Sequence, residues 1–297
     1  MAMILKNSLK RFVAICLVAL ACTQTSVAGI VINDTLTSEV LNSKIPFCVY
    51  IPDGFNKNPE RTYPVLYLLH GLTDNERAWT EKGKMELVAD DLMRSGESRE
   101  MVIVMPCAGG QDIQNVWNGY FNMPGWNYED FFFNEFMPAV EKKYRARSAR
   151  EWRAISGLSM GGGGSVGYAL RHPETFCACY AMSAWLGNQN QPQHAMQNTK
   201  SKFSYLQATV DSLAATKILN TSTAEGRKSI SNVAWFIDCG DDDFLLDQSL
   251  EFYQTMRRMR IPGQFRVRDG NHNWEYWHTA LRICLPFVSR NMGEGYK

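Results

Sequence analysis

Over most of the chain, short apolar runs alternate with longer amphipathic stretches. The runs are YPVLYLLHG (63–71), MVIVMP (101–106), EWRAISG (151–157), FCACYAMSAW (176–185), VAWFIDCG (233–240) and GQFRVRDG (263–270). Continuous apolar runs of this length suit strands buried on both faces of a parallel sheet. Between them the apolar spacing predicts helices over Lys84–Ser95, Tyr128–Tyr144, Met160–Arg171, Leu246–Arg260 and Trp274–Arg290. Pro173 and the Ile261-Pro262-Gly263 step supply stop signals. Residues 30–51 hold two further strand-like stretches that part near Asn42-Ser43, as an antiparallel pair would. Strands alternating with helices predict an α/β domain with a mostly parallel central sheet flanked by helices on both faces. Positions 186–232 break the rhythm. They are polar and too long for a bare loop, so short helices forming a partial lid are expected there.

The stretch SGLSMGGGGSVGYAL (156–170) puts one reactive side chain among glycines. Each glycine inside a helix costs about 1 kcal/mol relative to alanine, so the run implies backbone that a Cβ would obstruct. A phosphate loop fails: Gly157 and Gly162 have the right separation, but Gly163 and Gly164 stand where Lys and Ser or Thr are needed. Gly162, Gly164 and Gly167 formally fit G-x-G-x-x-G. The match starts inside the helix, however, and the next strand end, YAMSAWLGN, offers no carboxylate for a ribose. G-x-S-x-G remains, with a strand before it and a helix after it, and this is the nucleophile elbow of an α/β-hydrolase fold. Ser159 is the nucleophile it presents. Gly157 and Gly161 leave room for the turn, and Gly163 and Gly164 are expected to bring the helix close to the sheet.

A serine hydroxyl needs a base, and the base needs an orienting carboxylate. In this fold the order along the chain is Ser, acid, His. His272 lies in the turn DGNHNW between the last strand and the last helix, where its imidazole can hang over the C-terminal sheet edge. His70 precedes the serine and shapes its own loop, His172 ends a helix, His194 lies in the polar insertion, and His278 sits within the last helix as a structural residue. The acid comes from DCGDDDFLLD. Asp243 is a few residues into the loop and is preferred; Asp242 is next, with Asp238, Asp241 and Asp247 as loop or cap residues. The oxyanion requires two backbone N–H donors. Met160 supplies one, immediately after the nucleophile, and Leu72 supplies the other from the HGL turn.

Taken together, LLHGLTDNERAW, YEDFFFNEFMPAVEKKYRA, RAISGLSMGGGGSVGYALRHPETF and DCGDDDF…GNHNWEYW resemble the esterase D-like branch of the α/β-hydrolases, from about Ile45 to Phe287. That group includes feruloyl and acetyl xylan esterases of the carbohydrate esterase family 1 type, S-formylglutathione hydrolases and antigen 85 mycolyltransferases. The resemblance implies Ser159 as nucleophile, Asp243 rather than Asp242 as acid, His272 as base, and the amides of Leu72 and Met160 as oxyanion donors. It implies acyl transfer to water with no metal or organic cofactor. The insertion 186–232 matches no pattern of the family.

Composition refines the substrate. Lys6, Lys10 and Arg11 precede a short apolar run, Phe12–Ala21, and Ser26-Val27-Ala28 offers small residues for cleavage, so residues 1–28 read as a signal peptide and 29–297 as the esterase domain. Cys22 raises the question of a lipid anchor, but Ala19 stands where a larger aliphatic residue is usual. Without the signal, 28 basic residues face 30 acidic ones, a net charge of −2. That argues against a nucleic-acid partner, and the basic run Lys142–Arg153 reads as a solvated helix end. Nothing implies stable membrane insertion after cleavage. Export disfavours a cytosolic thioester and suits small-molecule or oligosaccharide esters of plant polysaccharides. Trp117 and Trp185 are candidate substrate-binding residues, whereas Trp126 and Trp277 read as core. The alternatives are an acyltransferase to a sugar or lipid hydroxyl, a peptidase, and a non-catalytic binding module. Six cysteines follow the signal; their apolar surroundings suit buried thiols, although an exported chain could pair them.

Overall fold

The opening pair forms β1 (Ile30–Ser38) and β2 (Ser43–Ile51), antiparallel in register, in the computed structural model, which describes residues 28–188 and 201–293. The expected signal segment up to Val27, and His194, lie outside the described residues. The six apolar runs become β3 (Val65–Leu69), β4 (Val102–Pro106), β5 (Arg153–Leu158), β6 (Ala178–Met182), β7 (Ala234–Gly240) and β8 (Gln264–Arg268). The sheet runs β1-β2-β4-β3-β5-β6-β7-β8. β2 is antiparallel to both neighbours and the remaining pairs are parallel. This is the α/β-hydrolase architecture.

Helices α1 (Met85–Ser95), α3 (Met160–Arg171), α7 (Leu246–Arg258) and α8 (Trp274–Asn291) fall where the apolar spacing put them. α7 stops two residues short of the expected end because Arg260 turns to a φ of 58°. Tyr128–Lys143 forms one further helix, α2, with a π turn over Phe132–Phe136. The sheet is covered on both faces. α2, α3 and α7 bury Phe132, Phe136, Tyr168 and Phe252 on one side; α1 and α8 bury Leu92, Leu281, Leu285 and Val288 on the other. Each fully buried aliphatic or aromatic side chain contributes roughly 1.5–3 kcal/mol. Within 186–232 lie α4 (Lys202–Ser212), α5 (Ala215–Thr221) and α6 (Ala224–Ser231). α5 packs against α3 and α7. Leu206 and Val210 of α4, Leu219 of α5 and Ile230 of α6 join the core.

Two expectations are corrected. The basic run is not a solvated helix end throughout: Arg153 opens β5 and makes a bidentate ion pair, at 2.6 and 2.8 Å, with the buried carboxylate of Glu141. The second concerns the glycines of α3. A Cβ on Gly161, expected to leave room for the turn, would stand 2.5 Å from the carbonyl oxygens of Leu69 and His70, so this glycine is the one that admits the end of β3. Gly163 instead faces the carbonyl of Trp185, at 1.9 Å from a Cβ, in the segment that leaves β6, and Gly164 faces the Tyr120 ring at 2.9 Å. The last two glycines therefore admit a loop and an aromatic ring, not the sheet. The six cysteines are buried free thiols. Burial raises the Cys107 thiol to about 11 and Cys177 to about 12, which suppresses their thiolates.

A first prediction follows from Gly163. Alanine there gains up to about 1 kcal/mol in helix propensity, but no atom survives at 1.9 Å from a carbonyl oxygen, so backbone must move. Overpacking of this kind costs about 1–3 kcal/mol or more. Gly163→Ala is expected to lower Tm by several degrees, measured by calorimetry; an unchanged or higher Tm would contradict the packing described.

From β3 the chain steps to β4 on one side, and it later returns to place β5 on the other. The carboxyl ends of β3 and β5 therefore flank the switch point of the sheet, where open α/β folds bind ligands. Leu72 and Ser159 lie on the turns that follow these two strands.

Candidate active site

Ser159 joins β5 to α3 with φ 53° and ψ −117°. A non-glycine residue at positive φ costs on the order of 1–3 kcal/mol and persists only where its surroundings over-determine it. Here they do. The Ser159 N–H donates to the carbonyl of Met182 (3.0 Å), and the Ser159 carbonyl accepts from the N–H groups of Gly163 and Trp185 (both 2.9 Å). The backbone is thus pinned to the end of β6 while the hydroxyl projects from the turn.

His272 follows β8, and its own N–H donates to Asn271 Oδ1 (2.7 Å). Asn273 caps α8 by accepting the N–H of Tyr276 (3.0 Å), which fixes the turn that carries the imidazole. His272 Nε2 lies 3.0 Å from Ser159 Oγ, and Nδ1 lies 3.0 and 2.9 Å from the two carboxylate oxygens of Asp243. An ionised carboxylate only accepts, so the Nδ1–H donates to Asp243 and Nε2 is left to accept the serine proton.

Asp243 is buried. Burial pushes its carboxyl upward, but hydrogen bonds from His272, Ser183 and the Leu245 N–H together outweigh this and hold it below the usual carboxylate range. The Leu245 contact is 2.8 Å to Oδ1. Ser183 in turn accepts from Trp277 Nε1 at 3.0 Å. The buried Trp277 also stands edge-on to the imidazole, 4.9 Å between centroids. The sequence read Trp277 as core, and it is; its support of the acid through Ser183 was not foreseen. The only signal for Ser183 was a polar residue just past an apolar strand end, in YAMSAW.

Asp242 is exposed and gives its N–H to the Gly270 carbonyl (3.1 Å), so the imidazole selects Asp243. Asp238 is fully buried. It takes a bidentate pair from Arg268 (3.0 and 2.9 Å) and hydroxyls from Tyr180 and Tyr276, which occupy its acceptor capacity away from His272.

Leu72 sits in the turn Gly71–Asp74, closed by Asp74 N–H to Gly71 carbonyl (3.3 Å). A Cβ on Gly71 would stand 3.6 Å from Ser159 Cβ, so this turn runs beside the nucleophile. Met160 is the first residue of α3, where N–H groups lack intrahelical acceptors. His70 shapes the loop as expected: Nδ1 donates to the Gly71 carbonyl (2.8 Å) and Nε2 accepts the Ala108 N–H (2.9 Å). Burial keeps it neutral by lowering its pKa. The hydroxyl of Tyr120 on the His70 carbonyl (3.1 Å) and Trp79 Nε1 on the Leu69 carbonyl (3.1 Å) complete the scaffold. His172 pairs with Glu129, and His278 with the Gly83 carbonyl, both away from the triad.

Trp185 is half-buried, and its ring meets Phe203 of α4 at 6.4 Å. Trp117, also half-buried, meets Tyr205 of α4 at 5.7 Å and carries the Lys202 ammonium 3.7 Å above its ring. Both tryptophans therefore stand with α4. Trp126 is buried core, as read.

A family model described as "Putative esterase" matches residues 38–287. Over 131 residues the chain is 34% identical to an endo-1,4-beta-xylanase/feruloyl esterase of Xylanibacter ruminicola, covering 43% of this chain and 18% of that one. The chain thus spans under a fifth of that relative's length. Over 238 residues it is 22% identical to an acetyl esterase of Caldicellulosiruptor saccharolyticus, covering 76% of this chain and 83% of that one. Among solved structures, a ferulic acid esterase superposes with a TM-score of 0.85 at 50% identity, covering 90% of this chain and all of that one.

Proposed function

Because the chain belongs to the esterase family and is a carboxylic ester hydrolase, we propose that it is an exported serine esterase that removes feruloyl or acetyl groups from plant polysaccharides. The observation that carries the chemistry is the unbroken hydrogen-bonded line Ser159–His272–Asp243 beside two candidate oxyanion amides. The substrate reading draws on the likeness to a ferulic acid esterase and to a xylanase/feruloyl esterase. Export rests on the signal-like character of residues 1–28.

In this mechanism Ser159 Oγ attacks the ester carbonyl carbon as its proton passes to His272 Nε2. The carbonyl oxygen gains charge and is held by the N–H groups of Leu72 and Met160. The bond to the alcohol oxygen breaks as Nε2 returns the proton to it, leaving an acyl-serine. Water then attacks the acyl carbon and yields a proton to Nε2; the carboxylic acid departs as Ser159 recovers its proton. Asp243 keeps the Nδ1–H tautomer throughout and stabilises the imidazolium.

The test is turnover of methyl ferulate, nitrophenyl acetate and feruloylated or acetylated xylan oligosaccharides by the mature protein. Release of ferulate or acetate from the oligosaccharides is expected, and the faster of the two identifies the acyl group. Absence of turnover on every ester would overturn the reading. Recovery of an N-terminus at Gly29 from an exported fraction tests the signal.

A further inference from the structure

Phe244 is 74% exposed, more than any other large apolar side chain among the described residues. It follows Asp243 directly, and its ring lies 4.5 Å from that of His272, tilted by 46°. The imidazole therefore contacts two aromatic rings, the buried Trp277 and the exposed Phe244. An exposed phenylalanine forgoes the roughly 1.5–3 kcal/mol that burial would bring, and this one presents its apolar face against the imidazole of the triad.

The chemistry fixes which part of the substrate would meet it. His272 Nε2 must come within hydrogen-bond reach of the leaving oxygen to protonate it. The alcohol half of the ester therefore lies beside the imidazole, and Phe244 is the exposed ring in contact with that imidazole. The ring contacts of Trp185 and Trp117 are instead with α4. Phe244 also stands on fixed backbone. Asp241 N–H donates to the Arg268 carbonyl (3.0 Å), Asp242 N–H to the Gly270 carbonyl (3.1 Å), and Gly270 N–H to Asp241 Oδ1 (2.9 Å), so the acid and base loops are joined. The exposed side chains of Asp242 and Asn271 sit on the same two loops. An aromatic face with a carboxylate and an amide on adjoining backbone suits a sugar, whose C–H groups stack on the ring while its hydroxyls reach the polar groups.

We propose that Phe244 is the platform for the sugar that carries the ester, and that it sets the preference for carbohydrate esters over simple alkyl esters. This rests on the reading of the protein as a polysaccharide-directed esterase. The quantity to measure is the ratio of kcat/KM for a feruloylated oligosaccharide to kcat/KM for methyl ferulate, in wild type, Phe244→Ala and Phe244→Trp. The shared acyl group cancels effects on the chemical step. The ratio is expected to fall about tenfold in Phe244→Ala, on the scale of one lost apolar contact, and to stay within about twofold of wild type in Phe244→Trp. If wild type shows no preference for the sugar ester, the polysaccharide reading and the platform both fail. If wild type prefers the sugar ester and Phe244→Ala keeps that preference, or loses activity equally on both esters, the platform alone is overturned.

Discussion

Ser159→Ala is expected to lower kcat on methyl ferulate by about six orders of magnitude, the scale on which removal of the nucleophile disables other triad hydrolases. The size follows from what remains. Without Oγ the proposed oxyanion donors, the Leu72 and Met160 amides, would remain, but no acyl-serine could form and His272 would have only water to activate. Folding should survive. Alanine carries the same Cβ through the φ of 53°, so the strain at the elbow is unchanged, and the three backbone hydrogen bonds that hold the turn involve no side-chain atom. His272 is half-buried rather than enclosed, so a water can take the place of Oγ as the partner of Nε2. The check pairs steady-state rates with mass spectrometry of protein quenched during turnover. Wild type should carry an added acyl mass and the variant none. Turnover by the variant within tenfold of wild type would remove Ser159 from the chemistry.

The sequence made the strand-and-helix alternation legible because every central strand is buried on both faces, which leaves a continuous apolar run. β3 and β4 are buried at every position, whereas β8 ends the sheet with Gln264, Arg266 and Val267 exposed, so the expectation of burial on both faces fails for that strand. That Ser159, Asp243 and His272 come together was legible for a related reason: each sits on a turn after a strand, at the same sheet edge. What escaped was set by pairings between distant segments. The carbonyl of Trp185 that makes Gly163 necessary lies 22 residues away and arrives only through the return of the chain after β6. Ser183 and Trp277 are separated by 94 residues, and neither has a periodicity that announces a hydrogen bond. Arg153 looked like one more cation in a basic run because nothing local marks Glu141 as buried beneath it. Phe244 escaped for the opposite reason, since exposure of an apolar side chain is a property of the folded surface alone.

Asp243→Asn carries the second largest expected effect, a fall in kcat of about four orders of magnitude with folding retained, as a wrong imidazole tautomer produces in a triad. The surroundings of Asp243 dictate the outcome. The Leu245 N–H, 2.8 Å from Oδ1, requires an acceptor. It will hold the asparagine carbonyl oxygen there and leave the NH2 group at the Oδ2 position, facing His272 Nδ1. Nδ1 must then accept, which moves the ring proton to Nε2, and an Nε2–H cannot take the proton of Ser159. Ser183→Ala acts on the same group more gently. Burial raises the Asp243 pKa, and the bonds from His272, Ser183 and Leu245 reverse that; loss of the Ser183 bond moves the folded-state pKa upward. A depressed carboxyl contributes stability that is present above its unfolded value and lost as pH falls through the folded value. Ser183→Ala should therefore lose stability at a higher pH than wild type on acidification, with a fall in kcat at neutral pH of about tenfold or less. Acid unfolding of the two proteins and the rate of Asp243→Asn decide it: superimposable acid-unfolding curves would show that Ser183 does not tune the carboxylate, and Asp243→Asn activity within tenfold of wild type would show that this carboxylate does not hold the tautomer.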